Sequence, residues 1–261
     1  MPIQNRVRKS AIEVTPCIHG AKLNESAEVS GKKPHELIDF SVNINPLGPP
    51  KLKKLITGAY DSICDYPDNR YPGFKRAAAN QLNVAPGNII PGNGSSELIR
   101  LFAEIVIEPG DKVIIPSPTF GEYEFQCRLF GACIEHIPYD SMINMNTDGC
   151  KAVFLCNPNN PTGKLIKRSD VIRLAEKCAA SWAFLFVDEA FMELSDPAES
   201  IADIAANNDF VIVLRSLTKT YAVPGLRIGF AVASSELAEI LNNTRLHWNM
   251  NSIALAAGEL L

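Results

Sequence analysis

The 261-residue chain has no apolar run that approaches the length of a membrane span, no closely spaced cysteine pair and no surplus of basic charge. Each absence excludes something. Without about 20 consecutive apolar residues there is no membrane-spanning helix to propose. The seven cysteines are scattered as Cys17, Cys64, Cys127, Cys133, Cys150, Cys156 and Cys178, which does not suggest a zinc site of ordinary ligand spacing. Cys156 and Cys178 stand in apolar patterns and read as reduced core thiols. Lysine and arginine total 25 against 29 acidic residues, a formal net charge of -4, so binding to nucleic acid would lack its main driving force. Arg6, Arg8 and Lys9 are followed by Ser10 to Cys17, with Glu13, Thr15 and Pro16, not by a secretory apolar core. The chain therefore reads as cytoplasmic, with neither nucleic acid nor membrane among its expected partners. With 46% hydrophobic residues it can bury one large domain, or a large domain plus a fragment.

From about Ile89 onward, short β-rich apolar runs alternate with helical patterns, which predicts an α/β fold with helical layers around a mostly parallel sheet. Strands are expected at Lys112 to Ile115, Ala152 to Cys156, Ala183 to Val187, Phe210 to Leu214 and Ile228 to Ala233. A helix over Ser96 to Ile107 places Leu98, Phe102 and Ile105 on one face, and Ser169 is the expected cap of a helix through Ile172, Ala175 and Cys178. The polar, proline-rich start ends in the loop Asn43 to Gly48 and reads as an arm over residues 1–37 leading into a domain over 38–261. Ile253 to Leu261 reads as a helix with no glycine stop, so the polypeptide is expected to end before its fold does.

In an open parallel sheet, ligands collect at the carboxyl ends of the strands. Four segments fall there. Gly92-Asn93-Gly94-Ser95-Ser96-Glu97 joins a glycine turn to a helix start, where free N–H groups and the helix dipole favour a phosphate; alone it is also ordinary punctuation. Asn157-Pro158-Asn159-Asn160-Pro161-Thr162-Gly163 consists of turn-forming residues and could be a turn and nothing more. Asp188, at the end of an apolar run, is costly to bury without a cation or donors, and a salt bridge or helix cap is its ordinary explanation. Lys219, in Ser216-Leu217-Thr218-Lys219-Thr220, would by itself be a solvated charge; Arg227 follows shortly after it.

Taken together and in this order, the four segments resemble the fold-type I pyridoxal-phosphate enzymes of the class I/II aminotransferase family. The likeness runs from His19 to Leu261 and is strongest to the branch that holds histidinol-phosphate aminotransferases and threonine-phosphate decarboxylases. The resemblance implies a three-layer sandwich around a mostly parallel sheet, an incomplete smaller domain and pyridoxal 5'-phosphate as cofactor. It implies that Lys219 carries the cofactor covalently, that Asp188 pairs with the pyridine nitrogen and that Asn160 donates to the phenolic oxygen. It assigns the cofactor phosphate to Gly94, Ser95, Ser96, Ser216, Thr218 and Arg227, and ring stacking to Phe120, for which a core aromatic is the plain alternative. Tyr71, in Asn69-Arg70-Tyr71-Pro72-Gly73, matches a tyrosine that reaches the phosphate of a neighbouring subunit, which implies a homodimer with shared sites.

Which bond the cofactor activates depends on the groups around the substrate. His19-Gly20, the run Asp39 to Gly48, and Phe191 where the aminotransferases tend to have tyrosine resemble the threonine-phosphate decarboxylases of cobalamin biosynthesis. His19, Asn43 and Asn45 are then candidates for the wall facing a small phosphorylated amino acid; the alternatives are an exposed arm residue and two turn-forming asparagines. Ala21 departs from the family's second glycine. The family's arginine for the substrate carboxylate has no counterpart within the sequence, which predicts cofactor binding with weak or no turnover. An aminotransferase is the rival reaction, and an inactive fragment or half of a split enzyme is the rival from another class.

Overall fold

The computed structural model describes residues 3–18 and 20–261. Seven strands form one sheet: β1 (Ile89–Gly92), β2 (Lys112–Ser117), β3 (Cys133–Pro138), β4 (Ala152–Cys156), β5 (Phe184–Asp188), β6 (Val211–Ser216) and β7 (Gly229–Val232). Their order is β1-β7-β6-β5-β4-β2-β3. β7 runs antiparallel to both β1 and β6, and the other pairs are parallel. This is the mixed α/β, mostly parallel arrangement that the alternating sequence pattern predicts.

Side chains alternate across a strand, so a buried sheet feeds two cores. Val153, Leu155, Leu185, Val187, Val211 and Val213 enter one, beneath helices Pro72–Leu82, Arg168–Ala180 and Ser252–Gly258. Phe154, Cys156, Phe186, Ile212 and Leu214 enter the other, beneath Ser95–Val106, Glu122–Leu129 and Ser235–Thr244. Three layers result. The second core is aromatic at its centre, where Phe102 lies 5.0 Å from Phe186 and Phe154 also lies 5.0 Å from Phe186. Such rings contribute large apolar burial and a rigid support for the strand ends above them.

Some expectations change. β1 was not among the expected strands because its Pro91-Gly92 end resembles a turn; it sits at a sheet edge, where proline is tolerated. β3 is the opposite edge, with a largely exposed Cys-Ile-Glu-His pattern that carries little apolar signal. Ser169 does not cap its helix, which starts at Arg168 after Lys167; the Arg168 N–H instead donates to the Glu199 carboxylate. The last helix does meet a glycine: it ends at Gly258, which is buried so closely that an added Cβ would come within 2.5 Å of Ile228 and Phe74. Among the described residues no helix is long and apolar enough to cross a membrane.

Candidate active site

The carboxyl ends of β4, β5 and β6 converge on one cavity of about 530 Å³. β4 and β5 end in register at Cys156 and Asp188, and β6 ends at Ser216, one turn before Lys219. Of the residues singled out in the sequence, Asn43, Ser95, Ser96, Phe120, Asn160, Asp188, Thr218, Lys219 and Arg227 line this cavity. The four sequence segments therefore meet in space.

Asp188 and Glu189 are adjacent and both buried, yet their surroundings differ. Glu189 is compensated: its carboxylate accepts from Arg215 Nη1 at 2.7 Å, from the Ser200 hydroxyl at 2.6 Å and from the Ile201 N–H at 2.9 Å. Asp188 faces the cavity with two neutral donors, Tyr123 Oη at 2.6 Å and the Ala190 N–H at 2.9 Å. Burial raises its pKa above the ordinary 3.8, against the lowering effect of Tyr123, Ala190 and Lys219. A cation brought into the cavity beside it would lower that cost.

Tyr123, which lines the cavity and donates to Asp188, is a site residue that sequence reasoning missed. It is fully buried, and its pKa lies well above 10.0, first through burial and then through the Asp188 charge, so the phenol remains a donor. Its ring stacks on Phe154 at 5.3 Å and meets Phe120 edge-on at 5.6 Å. The only sequence signal was its place three residues after Phe120, on one face of the next helix, where an aromatic reads as core. Cys156 lies beside the same pair, and its thiol is pushed up to about 12 by burial and then by Asp188, which makes it inert.

Lys219 sits on a four-residue helix, Leu217–Thr220. Its amine is half-buried, and burial, with Arg227 second, holds its pKa below 10.5, while Asp188 opposes the shift. Near neutral pH this raises the fraction present as free amine, the form that attacks a carbonyl or takes up a proton.

The Gly92–Glu97 turn is built for a backbone approach. Gly94 has φ +80°, and a Cβ there would come within 2.2 Å of the Arg227 guanidinium, so glycine lets Arg227 lie against the start of helix Ser95–Val106. Glu97 braces the turn by accepting from the Asn93 N–H and from Asn249 Nδ2 at 2.7 Å. A helix N-terminus, two serines and an arginine suit a phosphate dianion. Buried Ser216 shares a 2.8 Å hydroxyl bond with Thr218, which is the member of that pair lining the cavity.

Three assignments fare otherwise. His19 lies outside the described residues. Asn45 does not line the cavity; its amide donates to the Thr220 carbonyl at 2.8 Å. Tyr71 is buried in its own chain, its hydroxyl donating to Asn249 at 3.1 Å and its ring 4.6 Å from the Arg245 guanidinium carbon, so the phenol expected to reach a neighbour's phosphate is engaged internally. Gly20, Ala21, Ser41 and Val42 complete the wall, with Phe191 near the strand ends. A Cβ on Gly20 would lie 2.2 Å from the Ser41 carbonyl, and Ala21 occupies φ +63°, a left-handed position that suits glycine better.

A helix start suited to a phosphate and a half-buried lysine amine at the strand ends of a mostly parallel sheet are the arrangement of a cofactor-dependent class of enzyme. Residues 35–258 match the profile of Aminotransferase class I and II, and the chain belongs to that family. It is 34% identical over 251 residues to histidinol-phosphate aminotransferase of Methanocaldococcus jannaschii, covering 92% of this chain and 66% of the relative. It is also 34% identical over 253 residues to threonine-phosphate decarboxylase of Salmonella typhimurium, covering 93% and 69%. The chain thus spans about two thirds of the length of these relatives. Among solved structures, histidinol-phosphate aminotransferase of Sinorhizobium meliloti in complex with pyridoxal-5'-phosphate superposes with a TM-score of 0.85 at 22% identity, covering 97% of this chain and 70% of that one, and shares the fold. The family's cofactor is pyridoxal 5'-phosphate, and the residues present fit it: a helix start where glycine at 94 leaves room for Arg227, a lysine with a lowered pKa and a buried carboxylate held by two neutral donors.

Proposed function

We propose that this chain is the cofactor-binding portion of a decarboxylase acting on L-threonine O-3-phosphate, giving carbon dioxide and (R)-1-aminopropan-2-yl phosphate for cobalamin biosynthesis. In this reading residues 1–37 are an arm and 38–261 the cofactor-binding domain. Pyridoxal phosphate, when bound, supplies an electron sink for the pair left when a bond to the substrate α-carbon breaks. Gly94, Ser95, Ser96, Thr218 and Arg227 hold its phosphate, Phe120 offers the stacking face and Asn160 the amide for its phenolic oxygen. Asp188 balances a positive ring nitrogen, and Tyr123 keeps that carboxylate aimed. Lys219 would hold the cofactor covalently and would supply a base or acid beside the substrate α-carbon.

The observation that carries decarboxylation over amino transfer is Phe191 in the cavity wall, three residues after Asp188, the proposed ring-nitrogen partner. An apolar ring there offers no hydroxyl to the cofactor oxygen, which leaves Asn160 as that oxygen's donor and changes the electronics of the ring. Amino transfer is the second reading, favoured by the equal 34% identity to a histidinol-phosphate aminotransferase. Incubating the cofactor-loaded protein with threonine phosphate separates the two: carbon dioxide release without consumption of 2-oxoglutarate supports decarboxylation, and glutamate formation eliminates it. A homodimer with shared sites belongs to the same proposal. Exposed Tyr66, Leu246 and Trp248, near the Tyr71–Arg245 contact, support an interface there, and sedimentation at equilibrium tests it.

A further inference from the structure

Asn45 stands outside the cavity, yet all of its polar groups are used, two of them on the Lys219 turn. Its N–H donates to the Lys219 carbonyl at 3.1 Å, and its Nδ2 donates to the Thr220 carbonyl at 2.8 Å. Its Oδ1 accepts from the Leu47 N–H at 3.0 Å, and its carbonyl accepts from the Gly48 N–H at 3.2 Å. The first two bonds land on consecutive carbonyls at the carboxyl end of helix Leu217–Thr220. Four residues form too short a helix to hold itself together, and its last carbonyls have no partners within it.

Leu217 and Val223 are anchored in the core, but among the described residues the other backbone hydrogen bonds of that turn are local. The Tyr221 N–H donates to Leu217, Ala222 to Lys219 and Val223 to Thr218, and all three carbonyls belong to the same short turn. Asn45 reaches in from 175 residues away. Two residues before it, Asn43 lines the cavity, as do Val42 and Ser41, so one side chain fastens the cavity wall to the lysine-bearing turn. Ser41 is itself tied back, its N–H donating to Asp39 at 2.8 Å and its hydroxyl accepting from the Ala21 N–H at 3.0 Å.

We propose that Asn45 is a positioning residue that clamps the Lys219 turn against the Ser41–Asn43 wall and so holds the Lys219 amine inside the cavity. The proposal rests on the reading of Lys219 as the cofactor-bearing lysine. Burial of the amine is the first cause of its lowered pKa, with Arg227 adding to the effect and Asp188 opposing it. A turn free to swing outward would return the amine toward ordinary lysine behaviour.

The test uses cofactor-free protein and three chains: the parent, Asn45→Ala and Asn45→Ser. The serine variant keeps an acceptor for the Leu47 N–H but is too short to reach Thr220. Lys219 is acylated with a small reagent across a pH series and quantified by peptide mass spectrometry, alongside amide hydrogen exchange at Thr220 to Val223. In both variants the midpoint of Lys219 acylation moves up toward 10.5, and exchange at the turn speeds up by roughly threefold to tenfold, as loss of one hydrogen bond would cause. An unchanged midpoint in both variants overturns the proposal, even where thermal stability falls. Failure of both to fold overturns it too, because the residue would then be purely structural. Lys219 of the parent that does not take up pyridoxal phosphate would sink the functional reading while leaving the acylation comparison intact.

Discussion

The two sides of the cavity are built differently. On the sheet side, Asp188, Thr218 and Cys156 stand on strand ends and turns whose supports, Phe154, Phe186 and Tyr123, are fully buried. On the arm side, Gly20, Ala21, Ser41 and Asn43 belong to an exposed path with little regular structure; Ile18 and Phe40, beside it, are each 91% exposed. Groups proposed to serve the cofactor are thus held by the core, whereas groups proposed to meet the substrate rest on a few polar contacts. Such a division lets one scaffold keep its cofactor chemistry while the arm changes what is bound.

Asp188→Asn breaks the sheet side most directly. Any cofactor-dependent turnover of the chain should fall by about 10²–10⁴-fold, since the ring nitrogen would lose its proposed anionic partner, and a steady-state assay reads it. The cofactor-free protein should melt higher at neutral pH. The sign follows from Asp188 binding its proton more tightly folded than unfolded: above the raised folded pKa the buried charge costs stability, and below the ordinary 3.8 that cost is gone. Asparagine's Oδ1 can still accept from Ala190 and its amide can donate to Tyr123. The gain should therefore disappear as the pH of the melt is lowered through the same window.

Phe186→Ala, in the aromatic core beneath the strand ends, should cost about 3–5 kcal/mol in denaturant unfolding. Ala21→Gly should act in the opposite direction and more weakly, stabilising the arm by about 0.5–1 kcal/mol through relief of its φ of +63°. Hydrogen exchange at Ala21, whose N–H is bonded to Ser41, would show slower opening. Phe40→Ala, at an exposed position on the arm side, should change stability by less than about 0.5 kcal/mol. A loss at Phe40 comparable to that at Phe186 would erase the contrast between the two sides.

Much of the sheet side could be read in the residue order. β4 runs over the expected Ala152–Cys156, because a continuous apolar run bounded by a turn permits little else. Asp188 was visible because a carboxylate is costly where an apolar strand ends, whereas Lys219, by itself an ordinary solvated charge, stood out only through the motif it shares with the family. The arm side was less legible for a physical reason. Asparagine serves equally as a turn former, a ligand and a staple, and what decides for Asn45 is a carbonyl 175 residues away. Tyr71 likewise carries a motif, but its internal partners Asn249 and Arg245 lie far along the chain. Tyr123 gave only the signal of a core aromatic, since the carboxylate it serves belongs to a strand 65 residues later.

The central claim is that Lys219 is the covalent seat of the cofactor. Pyridoxal phosphate is added to the purified chain, the complex is reduced with borohydride, and the labelled peptide is located by mass spectrometry. The account predicts a visible absorption band before reduction, and one label per chain, on Lys219, that is lost in Lys219→Ala. A label spread over surface lysines, or undiminished in Lys219→Ala, would contradict it.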